Sequence, residues 1–113
     1  MSKLWLGSIE SATNRNFLRK KKIVFILSLL KEADYIHMHI YESDEFKVLI
    51  LPLEDIENAD LNSLINTTNQ FISNAIEKEN KGVLVHCQAG ISRSAAVVIA
   101  YLMYKKKIPF YKS

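Results

Sequence analysis

Cysteine occurs once in the 113 residues, at Cys87. A single thiol excludes an internal disulfide and a cysteine-rich zinc module, and it fits a reducing compartment, the cytoplasm or the nucleus. Glycine and proline are also scarce, at three and two residues. With 49% apolar residues the chain is therefore globular rather than disordered or linker-like. Fifteen basic against twelve acidic residues leave a net charge of +3, too mild to imply nucleic acid as a partner. Long hydrophobic runs are missing. The run Ile23-Val24-Phe25-Ile26-Leu27-Ser28-Leu29-Leu30 follows Arg19-Lys20-Lys21-Lys22, but it is internal and far short of the ~20 residues a membrane span needs. The N-terminus lacks the apolar core of a secretory signal, and Ser2 stands where N-myristoylation requires glycine. The expectation is a soluble protein with no membrane partner.

The chain reads as one domain over residues 1–113, without repeats or low-complexity tracts. Leu4-Trp5-Leu6-Gly7 predicts a short strand and turn, with Trp5 as packing. Ser11 or Thr13 is placed to cap a short helix running through Phe17 and Leu18 into the basic cluster, where cations suit a helix C-terminus. Residues 23–29 and 47–51 read as buried strands, the second stopped by Pro52. Between them the pattern weakens, with one extended piece around residues 35–41. From Asp60 the period changes: Leu61, Leu64, Ile65, Thr68, Phe71, Ile72, Ala75 and Ile76 share one face of a long helix. Lys81-Gly82 ends it, residues 83–85 return to strand, and a further helix runs from about Ser92 to Lys107. Strands alternating with helices predict an α/β fold, a mainly parallel central sheet flanked by helices.

The most informative residues are His86-Cys87-Gln88-Ala89-Gly90-Ile91-Ser92-Arg93-Ser94, set between the strand pattern and the last helix. Backbone N–H groups of such a loop, with those of a helix N-terminus, form a concave donor surface for a tetrahedral oxyanion. The same field favours a thiolate over a thiol. Ligands of parallel α/β sheets bind beyond the carboxyl ends of the strands, which is where Cys87 falls. A nucleophilic sulfur beside an anion cradle implies phosphoryl transfer through a cysteinyl-phosphate. Arg93 offers a planar fork of donors for two phosphoryl oxygens, and Ser94 is positioned to donate a hydrogen bond to the departing sulfur. His86 is a candidate to fix the loop and favour the thiolate, its rival reading being a satisfied half-buried histidine.

His86 to Ser94 resembles the signature loop of the cysteine-based protein phosphatases, Cys-x5-Arg followed by Ser or Thr. HCQAGISRS followed by AAVVIAYLM resembles the dual-specificity branch. The similarity extends to Leu51-Pro52-Leu53-Glu54-Asp55, like that family's acid loop, and to Leu4-Trp5-Leu6-Gly7-Ser8, like its opening strand and turn. It implies the cysteine-based phosphatase fold, a phosphorylated protein as substrate and no cofactor. It also implies Cys87 as nucleophile, Arg93 and the loop Gln88, Ala89, Gly90, Ile91 and Ser92 as the phosphate site, and Ser94 as its assistant. Asp55, 32 positions before Cys87, is carried over as the general acid that attack on a phosphate ester requires. Glu54, Glu57 and Asp60 are its rivals, Asp60 doubling as a helix N-cap.

Gln88, Ala89, Ile91 and Ser92 carry no charge, unlike the lysine-bearing loops of phosphoinositide phosphatases in this superfamily. The chain also lacks room for the recognition segment that deepens the pocket of strictly tyrosine-specific relatives. Phosphoserine, phosphothreonine and phosphotyrosine are all expected to fit. The alternatives are a same-loop phosphatase acting on a non-protein phosphate ester, and a catalytically silent phosphate-binding module. His37 and His39 have no further ligand near them in sequence, so no metal site is expected. Ile108-Pro109-Phe110-Tyr111-Lys112-Ser113 looks like the start of another helix, so the C-terminal helix is expected to be truncated. Tyr101, Leu102, Ile108, Phe110 and Tyr111 would then present apolar surface, making the chain marginally stable or self-associating.

Overall fold

The computed structural model describes residues 3–30, 44–52, 61–87 and 92–106. Their elements run β1 (Leu4–Gly7), α1 (Ile9–Thr13), α2 (Arg15–Lys20), β2 (Ile23–Leu30), β3 (Lys47–Pro52), α3 (Leu61–Ser73), β4 (Gly82–Cys87) and α4 (Ser92–Lys105). A π-helical turn, Asn74–Lys78, continues α3. The strands form one sheet in the order β1-β4-β2-β3, and every pairing is parallel. The expected α/β architecture is what forms.

The expected caps were misplaced. There are two short helices instead of one, because Ser8 and Asn14 are the capping side chains. Ser8 Oγ accepts from Ser11 N–H at 3.3 Å, and Asn14 Oδ1 accepts from Phe17 N–H at 3.1 Å. Asn14 thus closes α1 and opens α2. Ser11 and Thr13 lie inside α1, where the Thr13 hydroxyl donates back to the Ile9 carbonyl at 2.9 Å. The extended piece around residues 35–41 and the N-cap role of Asp60 lie outside the described residues.

Strand alternation sorts the core into two layers. Phe25, Leu27 and Leu29 of β2 and Val83, Val85 and Cys87 of β4 face α3 and α4, where Ile72, Ala75, Val97 and Tyr101 complete the larger cluster. Ile26 and Leu84 face the other way and meet Ala12 and Leu18 of α1 and α2. Ile23 joins this second layer although it is three residues from Ile26, because the β2–β4 register shifts between Ile23 and Phe25. Gly7 permits the close approach of β1: a Cβ there would sit 2.8 Å from Leu84 Cδ1. Trp5 packs edge-on against Phe17 with ring centroids 6.1 Å apart, as expected of a packing residue.

Tyr101 corrects one expectation. It is 4% exposed and belongs to the main core, so it offers no surface for association. Its ring packs inward while its hydroxyl meets Glu77, which also pairs with Lys105 at 2.7 Å. Ile99, Leu102 and Tyr104 are the exposed large apolar groups of α4. Ile108, Phe110 and Tyr111 lie outside the described residues.

Candidate active site

β4 enters the sheet last in sequence yet lies between β1 and β2, so both of its edges are hydrogen-bonded. All six of its residues are buried. The strand carries Cys87 to the carboxyl end of the sheet, beside Leu29 of β2, and five residues later α4 begins at Ser92. The thiol is 4% exposed and in no disulfide. Its sulfur lies 3.4 Å from the hydroxyl of Ser94, itself fully buried in the first turn of α4. Cys87 and Ser94, two residues expected to work together, are thereby in contact at a helix N-terminus, where free N–H groups favour negative charge. Arg93 is the second residue of that helix. The side chains of Ser92 and Arg93, and the whole of Asp55, Gln88, Ala89, Gly90 and Ile91, lie outside the described residues.

His86 points to the opposite face of β4 from Cys87 and has no exposed surface. Its Nε2 lies 2.7 Å from Ser28 Oγ, the direction of the hydrogen bond being set by the ring tautomer. Among the described residues Nδ1 has no partner in hydrogen-bond geometry. Burial drives the imidazole pKa down from 6.5 to about 4, against a smaller opposing pull from the backbone of Cys87. The ring is therefore neutral near pH 7. Its contact with Ser28 joins the end of β4 to β2.

Ser28 was missed from the sequence. It is the sole hydroxyl in the run from Ile23 to Leu30, and an isolated polar residue inside a doubly covered strand is the sign that could have found it. Its partner is fixed by register, since Ser28 stands opposite His86 in the β2–β4 pairing.

The family model "Dual specificity phosphatase, catalytic domain" matches residues 4–112. The chain belongs to this family. The MAP kinase phosphatase with leucine-rich repeats protein 1 of Dictyostelium discoideum is 36% identical over 97% of the chain, which covers 12% of that protein. A probable dual specificity protein phosphatase of the same organism is 39% identical over 96% of the chain and 47% of its own length. The chain thus spans less than half of each of these relatives. Among solved structures, the human tyrosine phosphatase-like serine/threonine/tyrosine-interacting protein superposes with a TM-score of 0.80 at 30% identity, over 96% of this chain and 73% of that one. The dual-specificity phosphatase fold accounts for the parallel sheet, with Cys87 at its carboxyl edge. No helix among the described residues is long and apolar enough to cross a membrane.

Proposed function

We propose that this domain hydrolyses phosphotyrosine and phosphoserine or phosphothreonine in proteins through a cysteinyl-phosphate. The observation that carries the reading is the 3.4 Å contact between Cys87 Sγ and Ser94 Oγ at the start of α4. A thiol placed for packing alone would not need a buried hydroxyl against it at a helix N-terminus. Family membership supports the same chemistry.

In the first step the Cys87 thiolate attacks phosphorus, an S–P bond forms and the P–O bond to the side-chain oxygen breaks. Asp55 delivers its proton to that leaving oxygen. The loop N–H groups and the Arg93 guanidinium hold the equatorial oxygens as charge builds on them. In the second step a water attacks phosphorus, gives its proton to the Asp55 carboxylate, and the S–P bond breaks to release inorganic phosphate. The Ser94 hydroxyl donates to the departing sulfur and stabilises it as thiolate. Ser28 and His86 act on neither reacting atom; they hold the strand end that presents Cys87.

The uncharged loop residues Gln88, Ala89, Ile91 and Ser92 favour protein phosphoesters over densely anionic head groups. The test is steady-state phosphate release from phosphopeptides, phosphoinositides and phosphoglycans, with acid quenching to trap sulfur-linked phosphate. Turnover on phosphopeptides with a trapped intermediate is expected. Turnover only on a lipid or glycan ester would move the substrate class. Phosphopeptide binding without phosphate release would leave a binding module.

A further inference from the structure

No charged side chain occurs in α4 between Arg93 and Lys105. Its inward side is already occupied: Ser94, Val97, Ala100 and Tyr101 are buried, and Val98 packs against the main cluster. α3, β4 and β1 are its chief neighbours, all on that side. The outward side is apolar as well. Ile99 is 52% and Leu102 45% exposed, with Ala95 and Met103 half-buried and Ala96 exposed beside them. A helix that is apolar all round is normally covered all round, and this one is covered on one side only. The other exposed large apolar groups among the described residues lie elsewhere. Leu6 is on β1, and Tyr104 turns to α3, where it lines a polar pocket with Gln70 and Ser73.

The outward residues repeat. Ala95, Ile99, Leu102 and Lys106 follow one another at intervals of four, three and four, the spacing at which a helix offers a straight seam to a second helix. Lys105 stays clear of this seam, since Glu77 of the π-helical turn holds it at 2.7 Å. The seam is complementary to itself when reversed. Antiparallel copies set Ile99 against the partner's Leu102 at both central positions. Each small Ala95 then lies under the aliphatic stem of the partner's Lys106, whose ammonium remains in water. Parallel copies would instead bring two Lys106 ammonium groups together and align the helix dipoles.

We propose that the outward face of α4 pairs with the same face of a second copy of this chain, antiparallel about a two-fold axis, in a weak and reversible dimer. The area sets the strength. α4 has 14 residues and is therefore about 21 Å long, so the pairing removes on the order of 400 Å² from each copy, at the small end of specific interfaces. That is the size of a transient contact, not of an obligate dimer. A seam without charge at its centre is not held apart by the net charge of +3 on each copy. Ser94 faces inward to Cys87, so the pairing takes neither residue out of the candidate site.

The experiment is analytical ultracentrifugation of the full chain, kept reduced, up to about 1 mM. A reversible monomer–dimer equilibrium with a Kd between about 10 µM and 1 mM is expected, with a melting temperature that rises with concentration. Ile99→Lys with Leu102→Lys should stay monomeric throughout. Asn66→Lys with Gln70→Lys, the same change in charge on the exposed side of α3, should leave the Kd nearly unchanged. Ile99→Glu with Leu102→Glu should also be monomeric alone, yet form a heterodimer when mixed with the lysine pair, because each central contact then joins opposite charges. Circular dichroism melts at low concentration confirm folding. Should a charged pair not fold, Ile99→Ala with Leu102→Ala replaces it, with an expected loss of about tenfold or more in affinity. A chain that stays monomeric to about 1 mM, growth beyond a dimer, equal effects of the α3 and α4 pairs, or charged variants that do not associate on mixing each overturns the proposal. So does a dimer that appears only in Ile108→Ser with Phe110→Ser, which would make the chain's own C-terminal segment the cover of this face.

Discussion

Ser28 Oγ and His86 Nε2 meet at 2.7 Å across the β2–β4 pairing, and both residues are fully buried. The residue after His86 is Cys87, whose side chain leaves the opposite face of the same strand. One hydrogen bond on the α1–α2 face therefore restrains the backbone from which the thiol projects. Removing the Ser28 hydroxyl leaves the buried His86 Nε2 without this bond, at a cost of about 1–3 kcal/mol.

Ser28→Ala is accordingly expected to lose about 1–3 kcal/mol of stability and to lower kcat more than it raises KM. The decisive measurement is a double-mutant cycle with His86→Ala by denaturant unfolding. Coupled residues give non-additive losses of about 0.5–3 kcal/mol. Strict additivity would mean that the contact does not link the two strands energetically.

How far the sequence could be read depends on whether a signal was local. The buried strands β2 and β4 were legible because apolar side chains on both faces leave few alternatives, and α3 because its apolar period is strict; β3, expected to be buried, is an edge strand with Lys47 exposed and residues 48–51 only half-buried. The caps were not, since Ser8, Ser11, Thr13 and Asn14 are all competent and tertiary placement of α1 and α2 decides among them. Cys87 with Ser94 was legible as a motif. Ser28 was not, because its partner is 58 positions away and only the sheet order brings β2 beside β4. Tyr101 was misjudged for a similar reason: composition gives its amphipathic character, but only packing shows the ring turned inward and the hydroxyl turned to Glu77.

Cys87→Ser should abolish turnover, since a serine hydroxyl is scarcely ionised at neutral pH, while phosphate or tungstate still binds and stability changes little. Ser94→Ala should act later. With no hydroxyl to stabilise the departing sulfur, hydrolysis of the intermediate should slow by about a hundredfold, the scale of losing one oxyanion donor. Rapid-quench kinetics would then show a burst of alcohol product ahead of phosphate. Equal slowing of both products would place Ser94 in the first step instead.

For Asp55 the expected signature is dependence on the leaving group. Asp55→Asn should reduce kcat/KM, which reports the leaving-group step, by about 10²–10⁴-fold for phosphoserine peptides and much less for p-nitrophenyl phosphate, whose phenoxide departs without protonation. The basic limb of the kcat/KM profile should disappear with it. An equal loss of kcat/KM for both substrates would transfer the role to Glu57 or Asp60.

His86 predicts a pH window for stability. Its folded-state pKa is depressed to about 4 from the 6.5 of a free imidazole, so the unfolded chain binds this proton first. The stabilisation is fully present above about pH 6.5 and is lost as pH falls from there toward 4. Below that the native state binds the proton too, and the difference no longer grows. The full effect is of order 3 kcal/mol. Glu45 and Glu77 act in a lower window, because their ion pairs hold their carboxyl pKa values below the ordinary 4.5. Urea unfolding at half-unit steps from pH 7.5 to 4 separates the two. Wild-type stability should decline from pH 6.5, whereas His86→Gln, which keeps a hydrogen-bonding partner for Ser28 but cannot titrate, should be flatter down to about pH 5. Parallel curves for the two proteins would show that the buried imidazole is not what senses the acid.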